Sequence, residues 1–363
     1  MRHRIDGPAD GEPLLLGPSV GTTARLWEPQ VPELARRFRV VRYELPALDS
    51  VGKLAEAVIG LADTLGIDAF HHAGVSLGGA IGAQLALTRP GRVRSLAMIC
   101  SSARFGEPDG WHERARLVRE RGTAPLLDAA AGRWFAAGAG TSLAKELLDD
   151  LAGFDAETYA ACCEALAAYD LRGSLGAIAA PTLIVAGRED PATPPAHARL
   201  LADGIPGASL VEISGAAHLA TVDRPAQVTA ALLAHLPPAD GMRVRREVLG
   251  DAHVDRAVAR TTAFTRDFQD FITRYAWGEI WTRPGLDRRT RSCVTLTALV
   301  AGGHLEELAM HARAALRNGL SPDEIGEVLL QSAVYCGVPA ANAAFAVVQR
   351  VLEEPPPPAE SGT

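Results

Sequence analysis

Along the first 237 residues, short apolar runs alternate with amphipathic stretches of helix length, and beyond them the alternation stops. The apolar runs Leu14–Leu16, Phe38–Tyr43, Phe70–Val75, Val93–Ile99, Thr182–Ala186 and Ser209–Ile213 predict strands. Helical periodicity fills Lys53–Leu65, Leu77–Thr88 and Pro225–Leu236 between or after them. Such alternation predicts an α/β fold, a mostly parallel sheet with helices on both faces. Residues 106–175 interrupt it with alanine-rich helical stretches at Trp111–Arg121, Pro125–Ala136, Leu143–Leu151 and Ala156–Tyr169, which read as a helical cap over an active site. The helix breakers in His235-Leu-Pro-Pro-Ala-Asp-Gly241 predict a linker. After it the pattern is purely helical, at Asp251–Thr262, Phe264–Trp277, Asp287–Val300, His304–Arg317, Ser321–Tyr335 and Val338–Leu352. Ser321-Pro-Asp-Glu324 is a capping-box start for one of these. The expected organisation is a domain over 1–237, a linker over 238–242, an all-α domain over 243–353 and a disordered tail over 354–363.

Composition narrows the class. At 363 residues and 48% hydrophobic content, the chain can build two full cores, which excludes disorder for its bulk. No apolar run approaches the ~18 residues of a membrane helix, and Met1-Arg-His-Arg-Ile-Asp6 has no apolar signal core, so a cytoplasmic protein with no membrane partner is expected. Five cysteines without a Cys-x-x-Cys fit reduced thiols. The net charge of −7 is unevenly spread: residues 241–352 carry 14 arginines, no lysine and 12 acids. Arginine alone makes that region mildly basic, either as a solvated surface or as a pocket for small carboxylates, which guanidinium binds bidentately. No basic stripe with interleaved aromatics points to nucleic acid.

The chemistry of the first domain centres on Phe70-His-His-Ala-Gly-Val-Ser-Leu-Gly-Gly79. Gly74-Val-Ser76-Leu-Gly78 follows an apolar strand and opens a small-residue helix, the context of the nucleophile elbow of an α/β-hydrolase. A serine hydroxyl is a weak nucleophile until a base takes its proton, so an acid and then a histidine must follow. The segment Thr182–Pro194 offers Asp190, with Glu189 as competitor, just beyond a buried strand; Ile213-Ser-Gly-Ala-Ala-His218 offers the base. Oxyanion stabilisation needs two backbone donors. Leu77 N–H, next to the nucleophile, is one, and Val20 N–H in the loop Gly17–Thr23 is the candidate for the other.

Leu16-Gly-Pro-Ser-Val-Gly-Thr-Thr23, Trp27-Glu-Pro-Gln30, Ala73–Gly79, Arg133-Trp-Phe135 and Ala217-His-Leu-Ala220 together resemble 3-oxoadipate enol-lactonases over nearly all of 1–237. The resemblance favours Asp190 through its Gly-x-x-Asp spacing. It implies hydrolysis of a five-membered enol-lactone with a carboxymethyl arm, and places Trp134 against substrate, the alternative being a cap-core tryptophan. The chain departs from the family after Tyr43, where Glu44-Leu-Pro-Ala-Leu-Asp-Ser50 replaces an Asp-x-x-Gly-His-Gly stretch and a Ser/Pro-rich loop.

In the helical domain, His304, Glu307 and His311 fall at i, i+3 and i+7. That spacing admits a solvated face, a metal site or general acid–base chemistry. Tyr275-Ala-Trp-Gly-Glu-Ile-Trp-Thr-Arg-Pro-Gly285, Asp287–Ser292, Glu306–His311 and Val334–Asn342 resemble 4-carboxymuconolactone decarboxylases. Redox members of that fold family carry Cys-x-x-Cys where this chain has His304 and Glu307, so thiol chemistry is excluded on residues. The resemblance implies cofactor-free decarboxylation, with His311 or Glu307 as proton donor, Arg291 as leading anion binder and Glu279 as a weaker candidate that could equally cap a helix. It further implies self-association through this domain. The two implied reactions are consecutive, converting lactone carboxylates to 3-oxoadipate; a decarboxylase with an inactive first domain and an esterase for another ester are the alternatives. Neither activity is expected to need a metal. Dialysis against a strong chelator should leave both rates unchanged, and decarboxylation that is lost and then restored by zinc or iron would revive the metal reading of His304, Glu307 and His311.

Overall fold

The computed structural model describes residues 1–9, 11–137, 141–236, 241–262, 264–283 and 285–353. The chain forms two compact units, Met1–Leu236 and Pro237–Thr363. The expected tail lies outside the described residues, as do 238–240 of the expected linker, while Gly241 and Met242 already belong to a helix.

The first unit is built on seven strands: β1 (His3–Asp6), β2 (Glu12–Gly17), β3 (Phe38–Tyr43), β4 (Phe70–Val75), β5 (Val93–Ile99), β6 (Thr182–Gly187) and β7 (Ser209–Ile213). They lie in the order β1-β3-β2-β4-β5-β6-β7, all neighbours parallel except the antiparallel pair β1/β3. β1 was not foreseen. Apart from Ile5 its residues are polar, and they are largely exposed, so no alternation marks it; main-chain pairing to β3 makes it a strand, at the sheet edge. β4 is buried along its whole length, including His71 and His72. Both histidines are core residues, each with one ring nitrogen hydrogen-bonded: His71 Nδ1 lies 2.8 Å from Ser95 Oγ, and His72 Nε2 lies 3.0 Å from Tyr43 OH. Burial pushes the His72 imidazole down to about 3, so it is neutral at ordinary pH.

The helical excursion between β5 and β6 comprises Pro108–Arg121, Leu127–Trp134, Ser142–Ala152 and Ala156–Ala167, the first and last packed on each other. It is fastened at one side to the loop after β2. Asp150 accepts from Thr23 Oγ1 (2.7 Å) and Arg25 Nε (3.2 Å), and Arg25 also pairs with Glu146 (2.6 Å). The short connection after Tyr43 leads directly into the helix Val51–Thr64, capped by Ser50.

The second unit is helical among its described residues. Leu296, Val300, Leu308, Ala312, Ile325 and Leu329 anchor one core, formed by Arg288–Gly302, Leu305–Arg317, Pro322–Cys336 and Val338–Glu353. The capping box of Ser321 and Glu324 forms as expected. A second, smaller core joins Val244, Val248, Leu249, Val254, Trp277 and Ala314. It depends on a helix the pattern missed, Gly241–Leu249, whose arginines mask the apolar spacing Val244/Val248/Leu249. Gly241 is required there, since a Cβ would fall 2.0 Å from the Thr273 carbonyl oxygen. The predicted helix over Phe264–Trp277 is instead an α-helix, Arg266–Ile272, continued by a π-helical stretch, Thr273–Ile280. Cleavage within 237–240 should therefore release two fragments that each unfold cooperatively. Circular dichroism of the C-terminal fragment should show helix alone; substantial sheet signal, or loss of its structure on cleavage, would contradict two independent units.

Candidate active sites

Ser76 occupies the turn between β4 and the helix Leu77–Thr88 with φ 55° and ψ −114°, a conformation disfavoured for a residue with a Cβ. The flanking glycines permit it. A Cβ on Gly74 would lie 2.1 Å from the Gly78 carbonyl carbon, and one on Gly78 would lie 2.5 Å from Gly17 O. Ser76 N–H donates to Ile99 O (2.9 Å), and Ser101 Oγ donates to Ser76 O (2.7 Å), which pins the turn from both sides. Gly78 N–H donates to Pro18 O (3.1 Å), holding the loop after β2 against the elbow. Among the described residues neither Val20 N–H nor Leu77 N–H has a hydrogen-bond acceptor, as donors reserved for an oxyanion require.

Asp190 and His218 are buried together beyond β6 and β7, with His218 Nδ1 2.9 Å from Asp190 Oδ2. Asp190 Oδ1 accepts from Ala192 N (2.8 Å) and Thr193 N (3.0 Å), and its Oδ2 also accepts from Thr193 Oγ1 (2.6 Å). Burial pushes this carboxyl up, but the hydrogen bond and charge of His218 and the Thr193 bonds outweigh it, so it stays below its ordinary range. An ionised Asp190 fixes the proton on Nδ1 and leaves Nε2 as the basic nitrogen. The competitor, Glu189, is exposed and accepts from Ala216 N (2.9 Å), steadying the His218 loop.

Ser76, His218 and Val20 share a cavity of about 300 Å³ with the cap residues Trp111, Arg114, Arg133, Trp134 and Tyr159. Trp134 is buried and lines this cavity, so its two readings coincide. Leu219 N–H donates to Trp134 O (2.8 Å), and Asp223 Oδ2 accepts from both Ala136 N (3.0 Å) and Ala217 N (2.8 Å). The cap is thereby tied to the histidine loop. Arg114 stacks on Trp111, its guanidinium carbon 4.7 Å from the ring centroid. Arg133 is half-buried, and burial together with the Arg114 charge holds its guanidinium below its ordinary range. Among the described residues neither arginine has a carboxylate partner; the acid lining the same cavity, Glu107, pairs with Arg104 instead, so the cap arginines leave their charge to whatever enters. Their roles were not legible in sequence, where cap arginines look like any other helix-surface charge.

In the helical unit, His311 lies one turn beyond Glu307 on Leu305–Arg317, its ring 6.5 Å from that of Trp277 and nearly parallel to it. Burial, then the charge of His253, outweigh Glu307 and push the imidazole down to about 4. His311 in the free chain is therefore neutral at ordinary pH. Glu307 is exposed, and His304 caps the helix rather than joining its face. Arg291 donates from Nε to Leu286 O (3.2 Å) and from Nη2 to Arg283 O (2.7 Å), holding the preceding loop. Glu279 is exposed within the π-helical stretch.

Family comparison adds to this geometry. A model of the alpha/beta hydrolase fold matches residues 12–225, and one of the carboxymuconolactone decarboxylase family matches 266–350. The chain belongs to the α/β-hydrolase family. Its helical unit belongs to the carboxymuconolactone decarboxylase family. The first part is 34% identical over 237 residues to 3-oxoadipate enol-lactonase 2 of Acinetobacter baylyi, covering 62% of this chain and 88% of that protein. Over 114 residues the chain is 48% identical to 4-carboxymuconolactone decarboxylase of the same organism, covering 31% of this chain and 85% of the relative. The crystal structure of the enol-lactonase from Burkholderia xenovorans LB400 superimposes with a TM-score of 0.62 at 33% identity, covering 64% of this chain and 95% of that one.

For an α/β-hydrolase with this arrangement, the Asp190–His218 bond sets which imidazole nitrogen is basic. Asp190→Asn keeps an acceptor for the backbone donors but turns an amide N–H toward Nδ1, favouring the wrong tautomer. Ester or lactone hydrolysis should fall about 10⁴-fold in kcat with the fold retained. A variant that loses less than about tenfold would remove Asp190 from the mechanism.

Proposed function

We propose that the chain is a bifunctional enzyme of aromatic-acid breakdown: the helical domain decarboxylates 4-carboxymuconolactone, and the α/β-hydrolase domain hydrolyses the resulting enol-lactone to 3-oxoadipate. The observation that carries this reading is the pairing of relatives, an enol-lactonase over one domain and a muconolactone decarboxylase over the other, whose reactions are consecutive. The cavity chemistry of the first domain supports it. Two cap arginines without a carboxylate partner, Arg114 and Arg133, line the same cavity as Ser76 and suit a small lactone carrying a carboxylate rather than a neutral ester. That favours the lactonase over an esterase for an unrelated ester.

Hydrolysis proceeds by attack of Ser76 Oγ on the lactone carbonyl while His218 accepts the hydroxyl proton and Asp190 stabilises the resulting imidazolium. Val20 and Leu77 N–H groups receive the oxyanion. Opening of the ring releases an enol, which the product carries as its ketone, and water then frees the acyl group from Ser76. In the helical domain, the bond from the ring carbon to its carboxylate breaks, CO₂ leaves, and the electron pair spreads through the double bond onto the lactone carbonyl oxygen. A proton then adds at the ring carbon beside that carbonyl. His311, neutral in the free chain, can hydrogen-bond the developing oxyanion; an anionic substrate beside it raises its affinity for a proton and lets it deliver one. Glu307, exposed one turn away, is placed to exchange that proton with solvent.

The exposed apolar side chains Val334, Tyr335 and Val338, at the junction of two helices, support self-association through the helical domain. The five unpaired cysteines suit a reducing, cytoplasmic setting.

The two sites separate by mutation. Ser76→Ala should abolish lactone hydrolysis, by about 10⁶ in kcat, while 4-carboxymuconolactone is still consumed and enol-lactone accumulates. His311→Ala should slow decarboxylation roughly 10²–10⁴-fold and leave hydrolysis of supplied enol-lactone intact. Chromatography of substrate, intermediate and product reads both. Wild-type protein that stops at the enol-lactone would reduce the first domain to a non-hydrolytic module, and loss of both activities in folded Ser76→Ala would refute separate sites.

A further inference from the structure

Arg245 is a buried cation that nothing in its surroundings neutralises. It sits in the helix Gly241–Leu249 with only 5% of its surface exposed. Its Nη1 donates to Gln269 Oε1 (3.0 Å) and Thr273 Oγ1 (3.1 Å), both neutral, and its Nε has no partner. Among the described residues no carboxylate pairs with it, whereas neighbouring arginines such as Arg243, Arg246 and Arg288 all have acid partners. Burying a guanidinium without an anion costs several kcal/mol, so a structural role alone is a poor account of it.

The surroundings point the same way. The Arg245 helix packs on the π-helical stretch that carries Trp277 and on the helix that carries His311. Thr273, which accepts from Arg245, opens that stretch, and Trp277 four residues on stacks on His311 with ring centroids 6.5 Å apart. Arg245 and His311 thus lie on helices that share one small core around Val244, Val248 and Trp277. Arg291, the sequence-level candidate for this role, is committed to two loop carbonyls.

We propose that Arg245 is the carboxylate anchor of the helical domain. This rests on the decarboxylase reading above. Of the two carboxylates on a 4-carboxymuconolactone, Arg245 takes the retained carboxymethyl arm. A guanidinium on the departing carboxylate would stabilise the ground state more than a transition state that is becoming neutral CO₂, and so would slow the reaction. Holding the arm leaves the departing group undersolvated and fixes the ring beside His311.

The test uses full-length Ser76→Ala protein, in which enol-lactone is formed but not hydrolysed. The probes are the enol-lactone, as a product inhibitor of decarboxylation, and its uncharged methyl ester. With Arg245 intact, the acid should inhibit roughly 10²-fold more strongly than the ester. Adding Arg245→Gln, which retains hydrogen-bonding capacity toward Thr273, or Arg245→Lys, which retains charge, should raise KM for 4-carboxymuconolactone. Arg245→Gln should also erase the acid-over-ester preference, and guanidinium ion should partly rescue Arg245→Ala. A folded Arg245→Gln protein with unchanged KM and unchanged preference would overturn the assignment while leaving the decarboxylase reading intact. A chain with Arg245 present that releases no CO₂ would overturn that reading and the anchor with it.

Discussion

The geometry of the hydrolase half follows from holding a serine at positive φ at the end of a buried strand. A residue with a Cβ in that region stores on the order of 1–3 kcal/mol, and it persists only where the neighbours leave no alternative. Here Gly74 and Gly78 interlock so closely that either added methyl would strike backbone, and Gly17 brings the oxyanion loop against the same turn. The next strand ends in the same way: Cys100, at φ 45°, places Ser101 on the Ser76 carbonyl. Strain at Ser76 is thus shared between adjacent strand ends. One backbone decision positions Ser76, the adjacent Leu77 N–H and the close approach of the loop that carries Val20.

The cap is subordinate to this frame but is not loosely attached to it. Asp223 joins Ala136 of the cap to Ala217 in the histidine loop, and Asp150 receives Thr23 and Arg25 from the loop that carries Val20. Burial raises the Asp223 carboxyl above its ordinary range against the pull of its two backbone donors, the expected balance for a half-buried clamp. The cap thereby brings Arg114, Arg133 and Trp134 to the cavity that holds Ser76. The short connection after Tyr43 does not sever these ties, because none of them passes through it.

The helical unit organises charge differently. Arg243, Arg246, Arg288 and Arg289 are spent in surface ion pairs, which contribute little individually. What distinguishes its smaller core is the reverse condition, a buried guanidinium without an acid partner, on a helix packed against the one that carries the half-buried, neutral His311. A cation left without a carboxylate of the protein's own suits the anionic ring of the proposed reaction.

Much of this was legible in the chain. Six of the seven strands, the cap, the change to pure helix, and Ser76, Asp190 and His218 follow from apolar runs and from small residues at strand ends, which are local signals tied to steric rules. The edge strand His3–Asp6 escaped because main-chain pairing leaves no side-chain pattern, and Gly241–Leu249 escaped because arginines mask its narrow apolar stripe. Charge roles were the least legible. Arg291 and Arg245 are equivalent as letters, yet one is fixed to loop carbonyls and the other is enclosed without a counterion. Sequence alone determined which backbone turn holds Ser76, because that depends on residues adjacent in the chain. Which cations face a cavity, and which are neutralised, only the tertiary structure decided, because pairing and burial depend on groups brought together from distant segments.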